Sequence, residues 1–429
     1  MLVLGLTVPL CLAILSLPFR HISWMVSRTL RFFADHPATL ALIFATAIFL
    51  FSCARFCKRF KVLSSIVSMF QHSEVIDDYY VNLKLTDFHQ VDNKGQPIQD
   101  SEKPNLILIV SESLESTFSN PQIFAQDLLA ELTKLKEKAD FIEDLRQVHG
   151  CHYTIATMYA IQYGLPLLFL PHRGGSPVQK NILQKNCISI FDVLNASGYQ
   201  ILHLQGTKLR FAGQGELFAH LPNARCLGVE EISLAEYPER QNWGLWDSDL
   251  FDKAKKEIQE MALNQRPFAL SLQTIDTHVG NVLQPGKEYR YSDARDIIRL
   301  QSKLIAEFIA WVQMQTFGKN TVIVILGDHN MMTRKLGSVN LPHSDDRQVF
   351  DCIIKSKSNG AMSTKRHAAA FDFAPTILDA LSFQWPTYSL GIGRSLYRNK
   401  PTILESIGKE AWDCEAKKTS KTYTHLIRD

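Results

Sequence analysis

The chain has 429 residues, of which 46% fall in the hydrophobic class and 21% are charged, for a formal net charge of +3. That length exceeds a small domain and fits one large α/β domain with attachments, and the composition is ordinary for a globular enzyme. The near balance of charge excludes a nucleic-acid binder, since the one basic cluster lies beside the N-terminal apolar segments and is not interleaved with aromatics.

Residues 2–18 and 38–54 are apolar and uncharged. Each run, of about 17 residues, is at the short end of what spans a bilayer core. No Lys or Arg precedes the first run and no small-residue cleavage site follows it, so a signal peptide is a poor fit. Both runs are apolar on every face, unlike a surface helix, and read as two transmembrane helices. The loop between them carries Arg20, Trp24, Arg28 and Arg31, and the stretch after the second carries Arg55, Lys58, Arg59 and Lys61. The positive-inside rule asks for both stretches in the cytoplasm, which two spans cannot provide. Cys11, Cys53, Cys57, Cys151, Cys187, Cys226, Cys352 and Cys414 include no CxxC pair, which removes a zinc-ribbon reading. Five of them fall in the soluble part, where an oxidising compartment would allow disulfides with one thiol left over.

Residues 61–84 mix apolar and polar positions and read as an interfacial helix. Residues 92–104 are polar, with Gly95, Pro97 and Pro104, and read as a linker. The pattern then changes. Asn105–Ser111 (NLILIVS) and Thr321–Gly327 (TVIVILG) are short continuous apolar runs, suited to strands buried on both faces. Further strands are expected at 199–204, 267–273 and 350–355, with helical patterns at 126–138, 248–263, 293–315 and 371–381. Strands alternating with helices predict an α/β fold with a mostly parallel central sheet and helices on both faces.

Ligands of such sheets bind beyond the carboxyl ends of the strands. The first apolar run leads into Glu112, the second into Asp328 and His329, and the strand-like FALSLQ into Thr274, Asp276 and His278. Each has a bland reading: Glu112 as a helix start, Asp328 as a turn residue, His278 as a hydrogen-bonded polar side chain. Together they deliver carboxylates and imidazoles to one sheet edge, which is a metal-site pattern; the donors suit zinc or manganese, and carboxylate alone suits magnesium. Thr154 precedes an apolar-periodic run, so it either caps a helix or presents a hydroxyl where helix amides welcome a phosphate. A metal on that oxygen would lower its pKa and make it a nucleophile.

The order ESLE from Glu112, GCHYTIATM around Thr154, WGLWDSDLF from Trp243, DTH from Asp276 and GDH from Gly327 resembles the phosphoglycerol transferases that decorate periplasmic glucans. It is similar, more distantly, to lipoteichoic acid synthase, within the alkaline phosphatase superfamily. FDFAPTILDAL from Phe371 resembles the closing helix of sulfatase-like members. The resemblance implies one divalent cation, manganese or magnesium, with zinc also suited, held by Glu112, Thr154, Asp328 and His329. It implies that Thr154 attacks the phosphorus of a phospholipid head group and that an acceptor hydroxyl then displaces the phosphoryl-threonine. His278 would contact phosphoryl oxygens or handle a proton. Lys208 and Arg210 fall where relatives contact the head group, with surface solvation as the alternative, and His343 lies downstream of the GDH site as a substrate contact or a loop residue.

The implied partners are phosphatidylglycerol or phosphatidylethanolamine as donor, a glycan or lipopolysaccharide as acceptor, and the membrane. The implied location is the bacterial inner membrane with the catalytic domain outside the cytoplasm. The expected organisation is a membrane anchor (1–60), a juxtamembrane segment and linker (61–104), a sulfatase-like catalytic domain (105–400) and a C-terminal tail (401–429). The competing readings are a phosphoethanolamine transferase, a phosphodiesterase or phosphatase, and a non-catalytic lipid- or partner-binding membrane protein. A true sulfatase is disfavoured, because Thr154-Ile-Ala-Thr-Met stands where CxPxR or SxPxR would be.

Overall fold

The computed structural model describes residue 46 and residues 71–426, apart from 93, 169–186, 240, 279–292 and 356–362. Apart from residue 46, the two apolar N-terminal runs lie outside the described residues, and among those described no helix is long and apolar enough to cross a membrane.

Asn105–Ser111 (β1) is buried at all seven positions. Its alternate side chains serve two cores: Leu106, Leu108 and Val110 on one face, Ile107 and Ile109 on the other. Phe141–Leu145 (β2), Gln200–Gln205 (β3), Arg225–Leu227 (β4), Phe268–Gln273 (β5), Thr321–Gly327 (β6), Asp351–Ile354 (β7) and Ser363–Ala368 (β8) complete the longer strands. The main sheet has six strands in the order β7-β6-β1-β5-β3-β4. All its pairings are parallel except β7 with β6. Strands with no polar face read as unbroken apolar runs, which is why β1 and β6 were visible from sequence alone. β2 and β8, which pair in a separate small sheet, carry charged residues, and β4 has three residues. None of these three has a run to detect.

Ala130–Lys136 (α1), Thr154–Tyr163 (α2), Ile190–Ala196 (α3), Asp247–Leu263 (α4), Ala294–Met314 (α5) and Phe373–Ala380 (α6) cover the two faces. α4 and α5 give Leu250, Phe251, Ile258, Ile298, Ile305 and Phe308 to one core, and α2 and α6 give Met158, Tyr159, Phe373 and Ile377 to the other. α1 is shorter than its pattern predicts. The Asp127 carboxylate accepts the Leu129 N–H at 2.7 Å and turns the chain just before it.

The described residues from 71 onward belong to one compact unit. Within residues 61–84 the described part holds a single helical turn, Val75–Tyr79. His89–Gln90 pairs with Phe383–Gln384, and the Arg394 guanidinium donates to the Tyr79 carbonyl at 2.7 Å. Residues 401–426 form three short helices that bury Trp412, Tyr423 and Leu426. The five cysteines among the described residues are free thiols, so the disulfides allowed by the sequence do not form among them.

Candidate active site

The site follows from register. Ser111 at the end of β1 is level with Gly327 at the end of β6, and Val110 is level with Gln273 near the end of β5. The next residue along β1 is Glu112 and along β6 is Asp328, so parallel pairing of adjacent strands brings two carboxylates together. His329 follows, and α2 supplies Thr154.

Donor atoms of Glu112, Asp328 and His329 all lie within 4.8 Å of one another, and all three residues are buried. His329 Nε2 is 3.5 Å from both Glu112 Oε1 and Asp328 Oδ2. Thr154 Oγ1 lies 3.4 Å from Glu112 Oε2 and 3.5 Å from His329 Nε2. Thr154 is the first residue of α2 and does not cap it: the N-cap is Tyr153, which makes no side-chain cap. Its hydroxyl is turned to Glu112 and His329.

The surroundings fix these groups. The Ser113 hydroxyl donates to Glu112 Oε1 at 2.8 Å, and the Ser113 and His329 amides donate to Asp328 Oδ1 at 2.7 and 2.8 Å. Ser113 adopts a positive φ of 52°, a strained conformation for a residue with a Cβ and one that clusters at functional sites. The Glu112 N–H donates to the Thr274 hydroxyl, and the Gln301 amide and the Thr277 hydroxyl both donate to the Glu112 carbonyl. His329 Nδ1 lies 3.0 Å from the Asn330 carbonyl, which can only accept. Nδ1 therefore carries a proton, and the Nε2 lone pair of the neutral ring is left for a ligand.

The electrostatics ask for a cation. Burial, with the Asp328 charge second, pushes the Glu112 carboxyl up to about 8. For His329 burial opposes the charged form, but the Asp328 and Glu112 charges outweigh it and hold the ring above its ordinary value. Asp328 Oδ2 is buried and has no hydrogen-bond partner. An orphaned carboxylate oxygen beside a second carboxylate and an imidazole lone pair fits a divalent cation with oxygen and nitrogen ligands.

The other expected site residues are not part of the metal-like group. His278 follows β5, and its ring lies against Trp243 with centroids 4.3 Å apart. Burial, with His329 second, lowers its pKa, so the neutral ring prevails at neutral pH. Lys208 and Arg210 are exposed and both pair with Glu230, at 2.9 and 3.2 Å. The His343 imidazole is exposed and turned to Asp345 at 3.3 Å. None of these three side chains bonds to Glu112, Thr154, Asp328 or His329. The Asp276 carboxylate accepts from the Gln241 amide. Among the described residues only Glu112, Asp328 and His329 form a metal-like group.

Sequence reasoning missed Ser113, Thr157, Thr277, Gln301 and Asp247. Thr157 carries a signal that could have found it: one helical turn after Thr154, it shares that face, and its hydroxyl donates to the Asp328 carbonyl. Thr277, Gln301 and Asp247 show none, because each acts on a backbone group brought near by the fold, and Ser113 acts through its positive φ, which its residue type does not announce.

The sequence model described as Sulfatase matches residues 104–383, a span that includes every residue of the cluster. Phosphoglycerol transferase I of Escherichia fergusonii is 31% identical over 304 residues, which is 68% of this chain and 39% of the relative. The chain thus aligns with well under half of that relative's length. Among solved structures, a protein in the alkaline phosphatase superfamily from Vibrio parahaemolyticus superposes with a TM-score of 0.57 at 17% identity, covering 76% of this chain and 78% of that one. The lipoteichoic acid synthase LtaP of Listeria monocytogenes gives 0.55 at 14% identity, covering 75% and 81%. The fold is therefore of the alkaline phosphatase type.

Proposed function

The chain belongs to the sulfatase family, and from that premise we propose that it is a metal-dependent phosphotransferase that moves a phosphoglycerol head group from a phospholipid to a cell-envelope glycan. The observation that carries the reading is the Thr154 hydroxyl, set at a helix N-terminus 3.4 Å from Glu112 and 3.5 Å from His329. A hydroxyl there meets the free amides and positive dipole end of α2, where a phosphate is stabilised. The name of the E. fergusonii relative favours glycerol over ethanolamine.

Glu112, Asp328, His329 and Thr154 would hold one divalent cation, which when bound supplies positive charge that favours the threonine alkoxide and offsets the phosphoryl oxygens. Manganese and magnesium are the ions this reading carries, with zinc suited to the same donors. Thr154 Oγ1 attacks the phosphorus of the head group. The bond to the lipid glycerol oxygen breaks, diacylglycerol leaves with a proton, and the phosphoglycerol group stays on Thr154. The oxygen of an acceptor hydroxyl then attacks the same phosphorus and frees Thr154. His278, neutral at neutral pH, takes the proton of that acceptor hydroxyl. In the first step, which is the same displacement with a different alcohol, His278 takes the proton of the Thr154 hydroxyl and the imidazolium so formed gives a proton to the leaving glycerol oxygen; in the second step the proton taken from the acceptor returns to Thr154 Oγ1 as it is freed. The amides at the start of α2 orient the phosphate throughout. The donor is a membrane lipid, which fits residues 2–18 and 38–54 as an anchor (residues 1–60) ahead of a catalytic domain at 105–400 outside the cytoplasm.

The test is diacylglycerol release from labelled phosphatidylglycerol and phosphatidylethanolamine by the purified chain with manganese. Release from phosphatidylglycerol is expected, with loss in Thr154→Ala and a mass increase of one phosphoglycerol on Thr154 when acceptor is withheld. Release from phosphatidylethanolamine alone would move the head group to ethanolamine. No release from either, with manganese bound, would remove the lipid-donor reading.

A further inference from the structure

One segment at the carboxyl edge of the sheet takes no part in the chemistry above, yet three separate ties run from it to the turn that carries His278. Residues 241–247 lead into α4. The Asp247 carboxylate is buried and does not cap its own helix. Its two oxygens instead accept consecutive amides of the loop after β5, Ile275 N–H at 2.9 Å and Asp276 N–H at 3.1 Å. The His278 N–H donates to the Ile275 carbonyl at 2.9 Å, which closes that loop into a turn. Asp247 therefore sets the backbone from which the imidazole projects. The Gln241 amide donates to the Asp276 carboxylate of the same turn. Trp243 then bounds the ring itself, with centroids 4.3 Å apart and planes tilted by 50°. Phe211 packs edge-on behind Trp243 at 5.5 Å.

Trp243 is not free to drift. Gly244, at φ +144°, lies so close to the loop after β3 that a Cβ there would come within 2.0 Å of the Gly206 carbonyl oxygen. The Leu245 N–H donates to that same oxygen at 2.8 Å. The segment is thus clamped to the end of β3 on one side and grips the end of β5 on the other.

We propose that Trp243 and Asp247 are positioning residues that fix the His278 imidazole for proton transfer at the phosphoryl centre; this rests on the reading of His278 as the group that handles the acceptor and leaving-group protons. Asp247 holds the backbone of the turn, and Trp243 restricts the rotation of the ring. General acid–base catalysis is worth roughly a hundredfold or more, so a ring held in the wrong orientation forfeits a measurable part of it.

The test compares the full chain with Trp243→Ala, Trp243→Phe and Asp247→Asn, using His278→Ala and Thr154→Ala as references. Steady-state turnover is followed on phosphatidylglycerol, and the first-turnover burst of nitrophenolate, which precedes acceptor attack, on a p-nitrophenyl phosphodiester whose leaving group departs without a proton. Trp243→Ala and Asp247→Asn are expected to lower kcat on the lipid by about tenfold or more, with KM changed by less than about threefold, and to affect nitrophenolate release far less. Trp243→Phe, which keeps a ring at the site, is expected to recover most of the loss. Equal loss on both esters, or a change in KM alone, would overturn the inference. The second readout needs no turnover: the His278 ring signals in histidine-labelled protein, assigned by their absence in His278→Ala. They are expected to move in Trp243→Ala and much less in Trp243→Phe. Unmoved signals would overturn the positioning of His278 even in an active enzyme. A wild-type chain inactive on every diester would remove the proposed chemistry, and the ring signals would still decide the positioning.

Discussion

The Ser113 amide donates to Asp328 Oδ1 at 2.7 Å, across the seam between the two strands that supply the carboxylates. The same residue donates its hydroxyl to Glu112 Oε1 at 2.8 Å. One serine thus turns both acidic groups, and it reaches both only because its φ is +52°. Such strain is held by the surrounding bonds and ties the two carboxylates into one unit.

Ser113→Ala should therefore weaken cation binding without removing a ligand. Loss of a bond that orients a metal ligand lowers affinity by roughly 10–100-fold. Calorimetric titration of the full chain with manganese checks this, with Asp328→Asn as the reference for loss of a ligand. An affinity equal to wild type in Ser113→Ala would show that the hydroxyl does not orient Glu112.

The Arg347 guanidinium donates to Glu115 Oε2 at 2.7 Å and to the Met331 carbonyl at 3.1 Å, with both side chains buried. The pair joins the chain after Glu112 to the chain after His329. Arg347→Met leaves the Glu115 charge buried and unpaired, which costs about 3–5 kcal/mol. Adding Glu115→Gln should restore much of that stability. Denaturant unfolding of the single and double variants measures both effects, and equal stability of the two would refute the pairing argument.

Gly327 closes β6 one residue before Asp328. A Cβ there would lie 1.8 Å from the Leu114 carbonyl oxygen, a backbone atom that cannot swing aside. Gly327→Ala is expected to force the two strand ends apart, lowering the unfolding midpoint and cation affinity together. A variant that binds manganese normally would refute the close approach.

Much of this site was legible before the fold was known. The unbroken apolar runs of β1 and β6 pointed to Glu112, Asp328 and His329, because a strand buried on both faces is apolar throughout and the first ionisable residues after it mark its end. Lys208, Arg210 and His343 were placed by their neighbourhood in the chain, and the fold turns all three to nearby carboxylates. Position along a loop does not set side-chain direction; competing partners do. Thr277, Gln301 and Asp247 were silent because each bonds to backbone groups far off in sequence, and no pattern of residue types encodes such a pairing.

Stability should also respond to pH through Asp372, away from the metal-like cluster. Its carboxylate accepts the Ala369 and Arg394 amides, yet burial pushes its pKa up to about 7 from an ordinary 3.8. The folded chain therefore binds this proton more tightly than the unfolded chain does. The resulting stabilisation is full below pH 3.8 and is lost as pH rises through about 7. The loss is on the order of a few kcal/mol across that window. Unfolding free energies of wild type and Asp372→Asn between pH 4 and 8, about the window those values bracket, measure the difference. It should shrink with rising pH in the wild type's disfavour, and a constant difference would refute the shift.

The register of β1 on β6 has a consequence for how the molecule assembles. Ser113 and Asp328 are 215 positions apart in the chain, and parallel strands so distant pair slowly because a long loop must close first. Until Ser111 comes level with Gly327, the carboxylates are not neighbours, and a one-residue slip would send one of them to the opposite face of the sheet. The cation binding proposed for this cluster should thus return late in refolding, and its recovery would serve as a clock for completion of the sheet.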